Sequence, residues 1–233
     1  MITLPIAGRG GTCTIDPRTI VAIGLNYREH IAEQVMAPVR APAAEIPTEP
    51  VLFAKTPNCL IGPGEAITFP KGLAAIPGQR TDYEGELALI IGRRAHRIGE
   101  AEALDHVYGY TCMNDVSQRN FQRGDKGGWF RGKSLDTFGP IGPCVVLAAD
   151  IGDAQDLGIR TRLNGTVVQD SSTRHMIFGI RTLISFVSQW ITLEPGDLIT
   201  TGTPAGVGAL APGDVVEVEI ERIGTLRNPV RAE

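Results

Sequence analysis

No stretch constrains this chain more than Tyr83-Glu84-Gly85-Glu86-Leu87-Ala88-Leu89-Ile90-Ile91, an apolar run with two glutamates at its start. Alternate side chains of a β-strand share a face. Read as one strand, the run turns Leu87, Leu89 and Ile91 one way with Tyr83, and sets Glu84 and Glu86 side by side the other way. Two parallel carboxylates repel unless a cation lies between them. A third acid, Asp115, follows a second strand-like run, Val107-Tyr108-Gly109-Tyr110-Thr111-Cys112-Met113-Asn114. Three carboxylates brought together make an oxygen-ligand site suited to Mg²⁺, Mn²⁺ or Ca²⁺. Most Glu-x-Glu pairs on strands are only a solvated face. The strongly apolar run beside this pair, and the polar motifs downstream, argue for more.

Length allows one large domain or two modest ones: 233 residues, 42% of them hydrophobic, enough for a substantial core. The formal net charge of −4 argues against nucleic acid and anionic membranes as partners. Cys13, Cys59, Cys112 and Cys144 form no C-x-x-C pair and no zinc pattern, so reduced, largely buried thiols are expected. No apolar run has transmembrane length, and the N-terminus lacks a signal-peptide pattern. The expected compartment is the cytoplasm.

Strand-like runs recur at 19–24, 51–55, 83–91, 107–113, 143–148, 159–163, 197–201 and 215–220. Asn164-Gly165 between two of them signals a hairpin. Helices are few. Ile180, Leu183, Ile184, Val187, Trp190 and Ile191 follow helical spacing, which places Trp190 in the core. Weaker helices are expected over 100–105 and 27–35. The fold class is therefore α+β and β-rich. The segment 35–50 carries Pro38, Pro42, Pro47 and Pro50, so it is neither a long helix nor a central strand. It reads equally as a surface connector or as a lid over the polar residues just before it.

Those polar residues are His30 and Glu33, three apart and so neighbours on a helix. A carboxylate beside an imidazole orients the ring and suits it to take a proton from water. His96, His106 and His175 have no such partner spacing and read as surface or structural histidines. Gly8-Arg9-Gly10-Gly11 precedes no helix pattern, so it is not a nucleotide loop. Trp129 reads as a pocket or an interface residue.

Five motifs follow in order. They are Gly24-Leu25-Asn26-Tyr27-x-x-His30-x-x-Glu33, Asp82-Tyr83-Glu84-Gly85-Glu86-Leu87, and Asn114-Asp115-x-x-x-Arg119-x-x-Gln122. Then come Lys133-Ser134-x-Asp136-Thr137-Phe138-x-Pro140-x-Gly142-Pro143 and Thr201-Gly202-Thr203-Pro204-x-Gly206-Val207-Gly208. Together they resemble the fumarylacetoacetate hydrolase family, from about Ile20 to the end. The resemblance implies a short N-terminal segment over 1–19 and a catalytic domain over 20–233. It implies a roll of mixed β-sheets with few helices, and a homodimer. It implies Glu84, Glu86 and Asp115 as ligands of Mg²⁺ or Mn²⁺, with Ca²⁺ an alternative. His30 and Glu33 match the water-activating dyad, and Lys133 matches the lysine that faces developing negative charge. Gln122 and Thr203 match substrate contacts, and Arg119 a structural arginine. Two departures stand out. Asn120 replaces an acid common after that arginine, and 35–50 is long.

A 2-oxo acid can offer its carboxylate and ketone oxygens to such a metal, a Lewis acid for enolate chemistry. With an activated water, a 2,4-dioxo acid of acylpyruvate or fumarylpyruvate type is split, as in aromatic catabolism. Without the water, the same chemistry decarboxylates a 2-oxo diacid such as oxaloacetate. Moving only a proton isomerises a 2-hydroxy-dienedioate. The leading expectation is the hydrolase; isomerase or decarboxylase is the rival. A silent scaffold with a structural Ca²⁺ has no need of His30, Glu33 and Lys133.

Overall fold

The structure is a computed structural model that describes residues 1–35, 46–125 and 128–233. Its centre is a seven-stranded mixed sheet in the order Val51–Lys55, Ile20–Gly24, Leu198–Thr200, Gly85–Ile91, Val107–Asn114, Gly139–Leu147, Leu60–Ile61. Leu198–Thr200 runs parallel to Ile20–Gly24, and Gly139–Leu147 parallel to Leu60–Ile61; the other pairings are antiparallel. A five-stranded sheet, Thr166–Ser172, Gly158–Leu163, Val215–Ile220, Gly224–Ala232 and Ile67–Phe69, packs over it. A small third sheet joins Ser117–Gln118, Thr81–Tyr83 and Gly208–Ala209. The protein is β-rich with few helices, as its strand-like runs predict.

Every residue of Gly85–Ile91 is buried. Leu87, Leu89 and Ile91 enter the largest core with Ile180, Leu183, Ile184 and Val187. Those four belong to the helix Ile180–Trp190, whose apolar stripe lies on this core. Ala88 and Ile90 face the opposite way, against Leu4, Ile15, Ile20 and Leu198. Leu4 and Ile15 come from an N-terminal hairpin, Ile2–Pro5 with Thr12–Ile15. A strand covered on both faces reads as a near-continuous hydrophobic run, which is why 87–91 is so apolar.

Several expectations need correction. The run 83–91 is two strands, not one. Thr81–Tyr83 pairs with Ser117–Gln118 in the small sheet, and Gly85–Ile91 pairs with Val107–Asn114 in the central one. Glu84 lies at the step between sheets. Tyr83 therefore packs with Val116, Phe138 and Leu210 rather than with Leu87, Leu89 and Ile91. Trp190 is not core: it ends its helix 78% exposed. The stretch near 100–105 forms a 3₁₀ helix, Glu100–His106. Asn164 and Gly165 do form a two-residue hairpin turn, both at positive φ. The four cysteines are free thiols. Among the described residues, no helix is long and apolar enough to cross a membrane.

Candidate metal centre and its cavity

The step between sheets builds the acidic floor. Where the chain leaves Thr81–Tyr83, the Glu84 carbonyl accepts the Asp115 N–H at 2.8 Å, and the Glu84 N–H donates to Asn114 Oδ1 at 2.9 Å. These bonds hold Glu84 and Asp115 beside each other. Glu86 follows on the central strand opposite Met113. Between them Gly85 is required, because a Cβ there would run into Thr161 Oγ1. Carboxylate oxygens of Glu84, Glu86 and Asp115 lie within 4.8 Å of one another, and all three side chains are buried.

Buried carboxylates need compensation. Lys133 Nζ donates to Glu84 Oε2 at 2.5 Å and to Asp115 Oδ2 at 2.6 Å. Arg119 reaches Glu84 Oε1 through Nη2 at 2.6 Å and Asp82 Oδ2 through Nε at 2.7 Å. Burial alone would raise the Glu84 carboxyl, but Lys133 and Arg119 outweigh it and hold the group at about 2. Glu86 has only the Gly202 N–H, at 2.9 Å, and no lysine or arginine paired with it among the described residues. Burial first, then Asp115 and Glu84, push its carboxyl well above the usual range. The set is all hard oxygen, tightly grouped, and short of positive charge at Glu86. That fits a small divalent cation such as Mg²⁺ or Mn²⁺.

Lys55 is the group that sequence reading missed. It is fully buried at the end of Val51–Lys55. Its Nζ lies 2.8 Å from Asp115 Oδ1, an electrostatic contact rather than an aligned hydrogen bond. It also donates to the carbonyls of Lys133 and, at 3.0 Å, Phe138. Burial lowers its pKa, yet Asp115 first, with Cys59 and Glu84, more than restores it, so the ammonium persists. The one signal in the sequence is a lysine closing an otherwise apolar strand.

His30 and Glu33 stand on the short helix Arg28–Val35, with His30 Nδ1 3.3 Å from Glu33 Oε2. The Gly206 N–H bridges both Glu33 oxygens at 3.1 and 3.2 Å. Burial raises the Glu33 carboxyl, but the His30 contact and the Gly206 amide together lower it below the ordinary value. Asn26 ties this segment to the glycine-rich loop, donating to Thr201 O at 2.8 Å and accepting the Phe178 N–H at 2.8 Å.

One cavity gathers His30, Glu84, Glu86, Gln122, Lys133 and Thr203. Asp115 lies behind its floor, and Glu33 flanks it. Gln122 Oε1 accepts from Arg119 Nη1 at 2.9 Å, which turns its amide NH₂ to other contacts. The Thr203 hydroxyl donates to Gly85 O at 2.9 Å and accepts from Gln169 Nε2 at 2.8 Å, so its one proton is committed to the backbone. Arg119 is a neighbour of the acids, as the motif spacing suggests. Trp129 lines the cavity and packs edge-on to Phe53. The segment 35–50, read equally as a surface connector or a lid, falls largely on positions 36–45, outside the described residues. His96, His106 and His175 bond Thr192, the Arg93 carbonyl and Ser171, away from this cavity.

Comparison with known proteins gives a consistent result. The family model described as fumarylacetoacetate (FAA) hydrolase C-terminal matches residues 19–231. The chain is 43% identical over 219 residues to a 2,4-didehydro-3-deoxy-L-rhamnonate hydrolase of a Sphingomonas species, covering 91% of this chain and 72% of that protein. It resembles the crystal structure of a 2-hydroxyhepta-2,4-diene-1,7-dioate isomerase from Mycobacterium marinum, with 39% identity, a TM-score of 0.80, and coverage of 94% of this chain and 76% of that one. It also resembles a fumarylpyruvate hydrolase from Pseudomonas aeruginosa in complex with Mn²⁺ and pyruvate, with 29% identity, a TM-score of 0.85, and coverage of 100% and 96%.

Proposed function

The chain belongs to the fumarylacetoacetate hydrolase family, and from that premise we propose that it is a divalent-metal-dependent hydrolase that cleaves a carbon–carbon bond of a 2,4-dioxo acid. One observation carries the reading. Glu84 and Glu86 line the same cavity as a histidine held by a carboxylate, and the Asp115 carboxylate groups with theirs just behind it. Glu84, Glu86 and Asp115 would hold Mg²⁺ or Mn²⁺, which when bound supplies Lewis-acid polarisation of the substrate's 2-oxo end.

The chain's own residues do the rest. Glu33, anchored by the Gly206 amide, holds the His30 ring through Nδ1. The imidazole so oriented would take the proton from water as it attacks the C4 carbonyl. The C3–C4 bond then breaks, and its electron pair passes to the 2-oxo-acid fragment. The Lys133 ammonium, which lines the cavity beside Glu84, would stabilise that developing negative charge. A proton delivered to C3 completes the release of a 2-oxo acid and a second carboxylic acid. Gln122 would orient the substrate through its amide NH₂.

The likeness to a 2,4-didehydro-acid hydrolase and to a fumarylpyruvate hydrolase supports this reading. Isomerisation is the second reading, favoured by the 39% identity to a dienedioate isomerase. It uses the carboxylates and Lys133 but no attacking water. His30→Ala separates the two. For a hydrolase it should lower kcat for acylpyruvate cleavage by about 10²–10⁴, the usual share of a general base. Cleavage within a few-fold of wild type would discard the dyad and promote the isomerase.

A further inference from the structure

The cavity changes character between floor and mouth. Its floor is charged and buried. Its mouth is apolar: Leu25, Phe53 and Trp129 line it half-buried, with Ile23 buried behind them. Wall and floor adjoin, for the Lys133 ammonium lies 4.9 Å from the centre of the Phe53 ring. Phe53 and Trp129 pack edge to face at 5.1 Å and 67°. Trp129 also lies on Gly24, where any Cβ would strike its ring, so only a glycine there admits the indole.

Leu25 adds a sharper observation. It has φ 56°, in the left-handed region, where the Cβ of an L residue crowds the following carbonyl. Strain of this kind persists only where the surroundings enforce it, and it gathers at binding sites. Here it sets an isobutyl side chain at the cavity mouth, next in the chain to the Gly24 that seats Trp129.

A 2,4-dioxo acid with its 2-oxo-acid end on the acidic floor extends its acyl end toward this mouth. The lining cations are already engaged: Arg119 with Asp82 and Glu84, Lys133 with Glu84 and Asp115. Among the described lining residues, none remains to neutralise a second carboxylate at the acyl end. Desolvating an unpaired carboxylate against such a wall is costly.

We propose that the substrate's acyl group is uncharged, an alkyl or aryl substituent seated on Leu25, Phe53 and Trp129, and that Leu25 sets this specificity. The proposal rests on the hydrolase reading for its reaction, but not for its binding preference.

The test uses the full chain loaded with Mn²⁺, with benzoylpyruvate and fumarylpyruvate as probes. Wild type should favour benzoylpyruvate by at least about tenfold in kcat/KM, within the range a pocket contact discriminates. Leu25→Arg should shrink or reverse that ratio, chiefly through KM. Leu25→Gly relieves the backbone and guards against a misfolded arginine variant; it should raise KM for benzoylpyruvate several-fold while kcat stays within about twofold. Equal or better use of fumarylpyruvate by wild type overturns the proposal. So does a ratio unchanged in both variants. Calorimetry on the Mn²⁺-loaded wild type is the independent arm, with phenylpyruvate expected to bind more tightly than 2-oxoglutarate. If neither acylpyruvate is cleaved, the hydrolase reading fails, and calorimetry still decides. Tighter phenylpyruvate binding upholds the apolar wall, and equal or tighter 2-oxoglutarate binding removes it.

Discussion

The two ends of the strand Gly85–Ile91 obey opposite rules. From Leu87 to Ile91 each side chain is buried among apolar neighbours on one face or the other, and each such burial favours folding by about 1.5–3 kcal/mol for a leucine or isoleucine. At the other end Glu86, with Glu84 just before the strand, is buried equally deeply but bears a carboxyl group. There, burial opposes folding; Lys133, Arg119 and Lys55 compensate it at Glu84 and Asp115, and among the described residues no lysine or arginine pairs with Glu86. One end of the strand is built for stability. The other groups the three acids that could hold a metal ion.

That contrast can be broken in graded ways. Chelation should have the largest effect: turnover should vanish on removal of divalent cations and return with Mg²⁺ or Mn²⁺, while the fold survives. Activity that persists in chelator-treated protein would mean that the acidic end serves some other purpose.

Lys55→Met comes next. It leaves Asp115 with one compensating ammonium instead of two, and breaking a buried pair in this way costs about 3–5 kcal/mol. Denaturant unfolding measures it; a loss below about 1 kcal/mol, the scale of an exposed pair, would reduce Lys55 to a bystander. Leu89→Ala should cost about 2–5 kcal/mol of stability, as for other large-to-small core changes. Its affinity for Mn²⁺ should stay near that of wild type, because Leu89 faces the core and not the acids. A large drop in affinity would show that the two ends are not separable.

Glu86→Gln should weaken Mn²⁺ binding yet leave chelator-treated protein as stable as wild type, or slightly more so, since it removes a carboxylate repelled by its neighbours. Thermal unfolding with and without metal tests both halves. The smallest effect is on pH. Glu86 is raised above its ordinary value of 4.5, so its protonated form stabilises the metal-free fold below that value, and the contribution is lost as pH rises through the elevated pKa. Glu84 is depressed to about 2, so its contribution is complete above 4.5 and is lost as pH falls through about 2. Metal-free protein should therefore lose stability as pH rises above the ordinary carboxylate range, and Glu86→Gln should flatten that slope. A slope that survives the substitution belongs to another group.

The same contrast explains what could be read from the sequence. Apolar spacing located the central strand and the helix Ile180–Trp190, because burial on a regular element leaves a periodic trace. Asn164-Gly165 was legible because a primed turn needs residues that tolerate positive φ. The grouping of Glu84, Glu86 and Asp115 was legible as two strand ends rich in acid. Tyr83 was misplaced because a period of two holds only within one continuous strand, and the chain changes sheets at Glu84. Trp190 was misplaced because periodicity gives a side of the helix, not how far the core beneath it extends; cover ends at Ser188. Lys55 left almost no trace. Its partners Asp115, Lys133 and Phe138 are distant in sequence, and only the fold brings them together.

The most direct test of the acidic end is a calorimetric titration of Mn²⁺ into chelator-treated protein, run in parallel on wild type, Asp115→Asn and Leu89→Ala. One ion per chain should bind to wild type and to Leu89→Ala with similar affinity. Asp115→Asn should bind at least about tenfold more weakly, the low end of losses seen even when supporting groups around a metal are changed. Saturable binding that is equal in all three proteins, or its absence from wild type, would contradict the account.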